Sequence, residues 1–230
     1  MGQRQKAIAA VLAVGAAALL ISGSAWAAKK APAKAAPVAP AAAAPAGQAK
    51  AQACPAGAQS DPQKHVAAMS ERLSALAKAA VNPAALHAAI SEELQSAVDW
   101  SAMARLTLPS QWETLQPAQQ TEFTALLNRM VINTYVKRFK AGTAVDVQYK
   151  GVKILGDGRT QVTTAITVNK TSADVAYVLR KGEGCWRVTD IVVDEASQVQ
   201  SYRQNFGKIL TKEGWNGLIA RMTKAANKKT

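Results

Sequence analysis

Two histidines and two cysteines are all that these 230 residues offer a metal site or a thiol mechanism. His65 and His87 fall on helical patterns with no acid or cysteine at ligand spacing, so they read as ordinary helix-face histidines. Cys54 and Cys185 lack CxxC or metal-ligand spacing. An oxidising compartment would let them pair, but Cys54 sits in a segment with the composition of a flexible linker, so pairing and separate thiols both stay open. No GxSxG, HExxH or P-loop is present, and no GxGxxG follows a strand. Glu92-Glu93 and Asp194-Glu195 are neighbouring carboxylates, but adjacent residues diverge on a helix and point to opposite faces on a strand. Neither pair makes a general acid/base couple. The chain is therefore expected not to be an enzyme, and to hold neither metal nor cofactor.

Long apolar runs and aromatics are also scarce. Apolar residues make up 49% of the chain, but much of this is alanine, and aromatics contribute 5%. The longest uncharged apolar stretch, residues 7–21, falls short of the roughly 20 residues that span a bilayer. It follows Arg4 and Lys6 and ends before Ala25-Trp26-Ala27, a small-x-small pattern, so residues 1–27 read as a cleavable export signal. Residues 28–60 are almost wholly Ala, Pro, Lys, Gly and Gln, a composition too poor in core-forming side chains to offset ordering entropy. They are expected to form a disordered linker. The net charge of +13 is concentrated in these ends. Residues 61–227 carry 20 basic and 15 acidic side chains, a net +5. So mild an excess gives no reason to expect nucleic acid as a partner.

What remains is patterned as one domain over 61–226, followed by a short basic tail at 227–230. Val66, Met69, Leu73, Leu76 and Ala80 recur at helical spacing. Asn82-Pro83 supplies a cap and a first-turn proline for a second helix, lined by Leu86, Ile90, Leu94 and Val98. A short helix over residues 100–107 is opened by Asp99 and ended near Pro109. Pro117 opens a long helix, closed at Gly142, whose apolar residues wrap more than one stripe and so need neighbours on two sides. The period then changes to two. Four strands are expected, around Val145 to Tyr149, Val162 to Val168, Val175 to Leu179 and Trp186 to Val193, with glycine turns between them. Ala176, Val178, Cys185, Ile191 and Val193 fall on the opposite parity, so the sheet is curved or covered on both sides in places. Two closing helices follow, punctuated by Gly214. The fold class is α+β, a curved four-stranded antiparallel meander flanked by N-terminal and C-terminal helices. Arg105, Asp190 and Arg203 sit among apolar neighbours, and an ion pair within the fold accounts for them most economically. Trp100, Trp112 and Trp215 read as core or inter-helix packing.

Several segments carry a family pattern: VDWSAMARLTLPSQW at 98–112, TYVKRF at 134–139, DIVVDEASQVQSYRQNFGKIL at 190–210 and GWNGLIARM at 214–222. Over roughly residues 62–225 the chain resembles the toluene-tolerance or MlaC family of periplasmic phospholipid-binding proteins. It departs from the pattern at Pro109, where the family has glycine in a Leu-Gly-x-x-Trp stretch, and at Glu195-Ala196 before the serine.

The resemblance implies a soluble periplasmic carrier. It would shuttle phospholipid between an inner-membrane ABC transporter complex bearing MCE-domain proteins and an outer-membrane lipoprotein–porin complex, keeping the outer membrane asymmetric. It also implies that the acyl chains lie in an apolar cavity between the sheet and the helices. The residues then expected to line the pocket are Met130, Val131, Tyr135 and Phe139 on the long helix, and Val147, Tyr149, Val162, Ile166, Val175, Tyr177, Trp186, Val188 and Val192 on the sheet. Val199, Tyr202 and Phe206 complete it from the closing helix, and Arg203 is placed to meet the lipid phosphate. The alternative is a non-catalytic envelope adaptor with a filled core.

Overall fold

The computed structural model describes residues 61–79, 82–137, 145–168, 171–182 and 184–227. The expected signal, linker and end of the basic tail, together with Phe139 and Cys54, lie outside them.

Among the described residues there are five α-helices and one five-stranded sheet. α1 (Pro62–Ala79) buries His65, Val66, Met69, Leu73 and Ala77, a stripe at three- and four-residue spacing. α2 (Pro83–Ala97) starts as its sequence demands: the Asn82 side chain accepts the Ala85 amide and Pro83 takes the first turn. α3 (Trp100–Thr107) is capped by Asp99, whose side chain accepts the Ala102 amide at 2.9 Å. α4 (Pro117–Val136) buries eight residues, from Phe123 to Val136, on more than one side. It packs against α2, α3 and the last helix, α5 (Gln198–Ala226). α5 is broken at Gly214, which takes φ 67° and ψ −170°, a conformation that glycine adopts without a Cβ penalty. No helix among the described residues is long and apolar enough to cross a membrane.

The sheet is a meander in the order β1 (Val145–Ile154), β2 (Arg159–Val168), β3 (Thr171–Gly182), β4 (Cys185–Val193) and β5 (Ala196–Ser197), all antiparallel. It has one strand more than the four expected. β5 is two residues long, too short for a period-two signal, and exists because it pairs with Val192 and Val193. Asp194 and Glu195 form the turn before it, with φ of 45° and 69°. Two consecutive positive φ values are the requirement of a tight hairpin, for which glycine or asparagine is the usual solution. The rest of the open edge of β4 is met by Val98, which forms a parallel bridge to Val188, while the Asp99 amide donates to the Val188 carbonyl.

Helices α1, α3 and α5 pack on the sheet, and α4 closes the layer behind them. An aromatic cluster joins the helices to one another. Phe123 of α4 meets Trp112 at 6.3 Å, Phe206 at 5.6 Å and Trp215 at 6.1 Å between ring centroids, and Tyr202 stacks on Phe206. The Trp112–Phe123 and Phe123–Phe206 contacts are edge-to-face, and such pairs add about 1 kcal/mol each beyond the area they bury. Trp100 is buried as well, so these tryptophans have the packing role expected of them.

His65, read from the sequence as an ordinary helix-face histidine, lies in the core. It is 0% exposed. Burial, reinforced by the nearby charge of Arg72, lowers its pKa to about 4. Above pH 6.5 the ring is neutral whether the chain is folded or not. Below it the unfolded chain takes up a proton that the folded one refuses until about pH 4. Stability should therefore fall by about 1.4 kcal/mol per pH unit across this window, about 3 kcal/mol in all. Urea midpoints measured from pH 7 to pH 4 should show this slope, and His65→Leu should flatten it.

Candidate functional site

The site begins with the inner face of the sheet, the face turned to the helices. On β2, alternation puts Val162, Thr164, Ile166 and Val168 inward, all buried, with half-buried residues between them. Their partners across β3 are Tyr177, Val175, Ala173 and Thr171. Across β1 they are Val152, Tyr149, Val147 and Val145. On β4, Trp186 and Val188 lie opposite Lys181 and Leu179 of the same face. The register then shifts between Val178 and Leu179, leaving Thr189 as an extra residue. Past this bulge Ile191 pairs with Tyr177 and Val193 with Val175, while Val192 pairs with Ala176 on the outer face. Strict alternation from Trp186 would have put Val192 inside and Ile191 and Val193 outside, and the bulge reverses all three. The outer face is covered in places, since Ala176, Val178 and Cys185 are buried. Cys185 is disulfide-bonded.

Burial is uneven across the inner face. Val162, Ile166, Val175, Tyr177 and Val188 are each at most 3% exposed. Tyr177 is so far from solvent that its phenol pKa is raised, with a further push from Tyr149. From the helical side, Met130, Val131 and Tyr135 of α4 and Val199, Tyr202 and Phe206 of α5 are also buried. Exposure concentrates on β1, the edge strand. Val147 is half-buried, and Tyr149, Val152 and Ile154 are 37%, 46% and 84% exposed. Tyr149 hydrogen-bonds to the Ser70 side chain of α1, and burial raises its pKa.

Between α4 and the two arms of α5 lies a small apolar hollow of about 50 Å³. Met130, Tyr202 and Phe206 line it as expected, together with Asn205, Ile209, Arg221, Met222 and Ala225, which were not expected there. Ile209 and Met222 were legible as helix-face residues. That the break at Gly214 folds them onto one hollow was not. Two wider, open hollows of about 670 and 520 Å³ lie on the helical surface. The first is lined largely by Ser, Thr, Gln and Asn, including Gln95 and Asn128, whose amides bond to one another. The second lies beside the Arg72–Glu93 ion pair. Among the described residues, no group of three or more His, Cys, Asp or Glu could hold a metal ion.

The conspicuous polar residues have separate partners. Arg105 pairs with Glu113 at the surface, both side chains more than half exposed, and not within the fold. Asp190 and Arg203 make other contacts. Asp190 accepts the Ile191 amide, the Val199 amide and the Ser197 hydroxyl, the last at 2.6 Å. Burial raises its pKa, and these donors oppose the rise. Arg203 donates Nε and Nη2 to the Leu106 carbonyl, at 3.1 and 2.8 Å, near the end of α3. That carbonyl lies in the last helical turn, where acceptors lack partners within the helix.

A family model described as MlaC protein matches residues 63–224, more than half of the chain. Among solved structures, the chain is similar to a phospholipid-binding protein from Ralstonia solanacearum in complex with a phospholipid. The TM-score is 0.65 at 18% identity, over 73% of this chain and 97% of that one. No curated protein matches.

The Arg203 geometry predicts a structural cost for its loss. Arg203→Ala should lower unfolding free energy by about 2 kcal/mol, the range for hydrogen bonds from a charged donor. Urea denaturation measures this. A variant of unchanged stability that has lost bound phospholipid would move Arg203 to the headgroup instead.

Proposed function

The chain belongs to the MlaC family, and from that premise we propose that it carries phospholipid through the periplasm. In this reading residues 1–27 direct export and are removed, 28–60 form a linker, and 61–226 hold the lipid. The carrier moves lipid between an inner-membrane ABC transporter complex with MCE-domain proteins and an outer-membrane lipoprotein–porin complex, and so maintains outer-membrane asymmetry. The family match is the observation that carries the proposal. The likeness to a protein solved with a phospholipid supports it, as does the apolar interior between sheet and helices.

The physics of transfer asks for little more than such an interior. Each acyl methylene exposed to water costs about 0.8 kcal/mol, so one sixteen-carbon chain costs about 12 kcal/mol. A dry apolar wall removes that barrier without any reactive group. Ligand pockets usually measure about 300–1,000 Å³, several times the apolar hollow of about 50 Å³ between α4 and α5. Lipid loading at this seam therefore requires the helices to part from one another or from the sheet. The aliphatic contacts they give up are replaced by contacts with the acyl chain. The β1 side, where inner-face residues are least covered, is the natural place for the opening to begin.

The close packing of Val162, Ile166, Val175 and Tyr177 favours a second reading, an envelope adaptor with a filled core. The two separate cleanly. Protein purified from the periplasm should yield phospholipid in an organic extract by mass spectrometry, and stripped protein should take it up again. Val147→Trp, a large ring at a half-buried inner position, should lower lipid per protein severalfold at unchanged melting temperature. Stripped protein that takes up no lipid but still binds an envelope complex would establish the adaptor instead.

A further inference from the structure

The sheet has two chemically different ends. At one end lie the β1–β2 turn, Leu155 to Gly158, and the β3–β4 turn around Gly184. The pairing puts Arg159 beside Arg180 and Arg180 beside Arg187, a row of three arginines across adjacent strands. Like charges placed directly opposite one another destabilise a sheet. Arg187 is tied to the Ser96 carbonyl and Arg159 to Asp157. Arg180, Lys181 and Lys153 are exposed and make no ion pair among the described residues. The acids of this end are Asp157, already paired, and Glu183, which lies outside the described residues. The opposite end carries Asp146, Asp174, Asp194 and Glu195, with Lys150 paired to Asp174, and Lys170 between β2 and β3 lies outside the described residues.

The basic end is also where apolar surface meets water. Ile154, the last residue of β1, is 84% exposed, and Val152 on the same face is 46% exposed. Exposed aliphatics at the rim of a strand, flanked by cations that make no ion pair among the described residues, match the boundary between anionic headgroups and acyl chains. There apolar side chains gain burial and each cation contributes separately. We propose that this turn end, built from Val152, Lys153, Ile154, Arg180 and Lys181, is a membrane-docking tip that seats on an anionic phospholipid surface. The proposal deepens the carrier reading and rests on it: a protein that exchanges lipid gains from being held at a bilayer, and the tip adjoins the least covered side of the inner face. The acidic end would be turned away from such a surface.

The test is cosedimentation of the full chain with phosphatidylcholine vesicles, with and without phosphatidylglycerol, at low and physiological salt. Wild type should bind the anionic vesicles, far less so the neutral ones, and lose affinity as salt rises. Arg180→Gln with Lys181→Gln should weaken binding about thirtyfold at low salt, at about 1 kcal/mol for each cation. Ile154→Ser should weaken it severalfold with little change in its salt dependence. Basic residues outside the described part are common to all the variants and cancel from the comparison. Equal binding to neutral vesicles, no binding to anionic ones, or variants indistinguishable from wild type would overturn the proposal. So would a tip variant that keeps vesicle binding but loses an acidic envelope protein, which would assign the tip to that protein. An organic extract of each preparation tests the carrier reading separately. Phospholipid in all of them with no vesicle dependence on the tip defeats the tip alone, and phospholipid in none defeats the carrier.

Discussion

A one-residue bulge in β4 governs how this domain is assembled. Thr189 has no place in the register between Val188 and Asp190, so the strand turns over by one position. Ile191 and Val193 then face the helices, and Asp190, three residues before the end of β4, lies beside the start of the last helix. There its carboxylate accepts the Ser197 hydroxyl and the Val199 amide. Ser197 in turn caps the last helix by accepting the Gln200 amide. An acceptor with two oxygens thus ties strand, turn and helix at one place. It also presents negative charge to a helix N-terminus, where the backbone dipole favours it.

From that anchor α5 runs across the helical layer, and its first half buries Val199, Tyr202, Phe206 and Ile209. Tyr202 and Phe206 reach the Phe123 cluster, and Arg203 reaches back to α3. The break at Gly214 lets the second half fold over the hollow bounded by Met130 and Met222. The helical layer is therefore held largely by side-chain packing between its helices and against the sheet. Apolar packing is non-directional and exchanges readily for contact with hydrocarbon.

Glu195 takes a left-handed conformation, at a cost of roughly 1–2 kcal/mol for a residue with a Cβ. The turn is kept because both flanks are fixed: Val193 pairs with Ala196, and the Asp194 amide donates to the Asp174 carbonyl. Tertiary constraint overrides local preference here.

Helix positions, caps and the meander were legible in the sequence because their causes are local. Asn82, Asp99, Pro83 and Pro117 act within one turn of themselves, and a period of two or 3.6 is a property of a few neighbouring residues. Family membership was legible too, since short motifs such as SYRQNF survive as strings. The face of Val192, the burial of His65, the partner of Arg203 and the existence of β5 were not. Each depends on residues far away in the chain. The bulge is set by how β4 meets β3, and the Arg203 acceptor lies 97 positions back. β5 is a strand only because β4 is beside it. The sequence by itself determined the helices, the four long strands and the apolar character of their joint interior. Only the tertiary structure decided which side chains meet there, because register and packing are set by contacts between segments that the chain order does not encode.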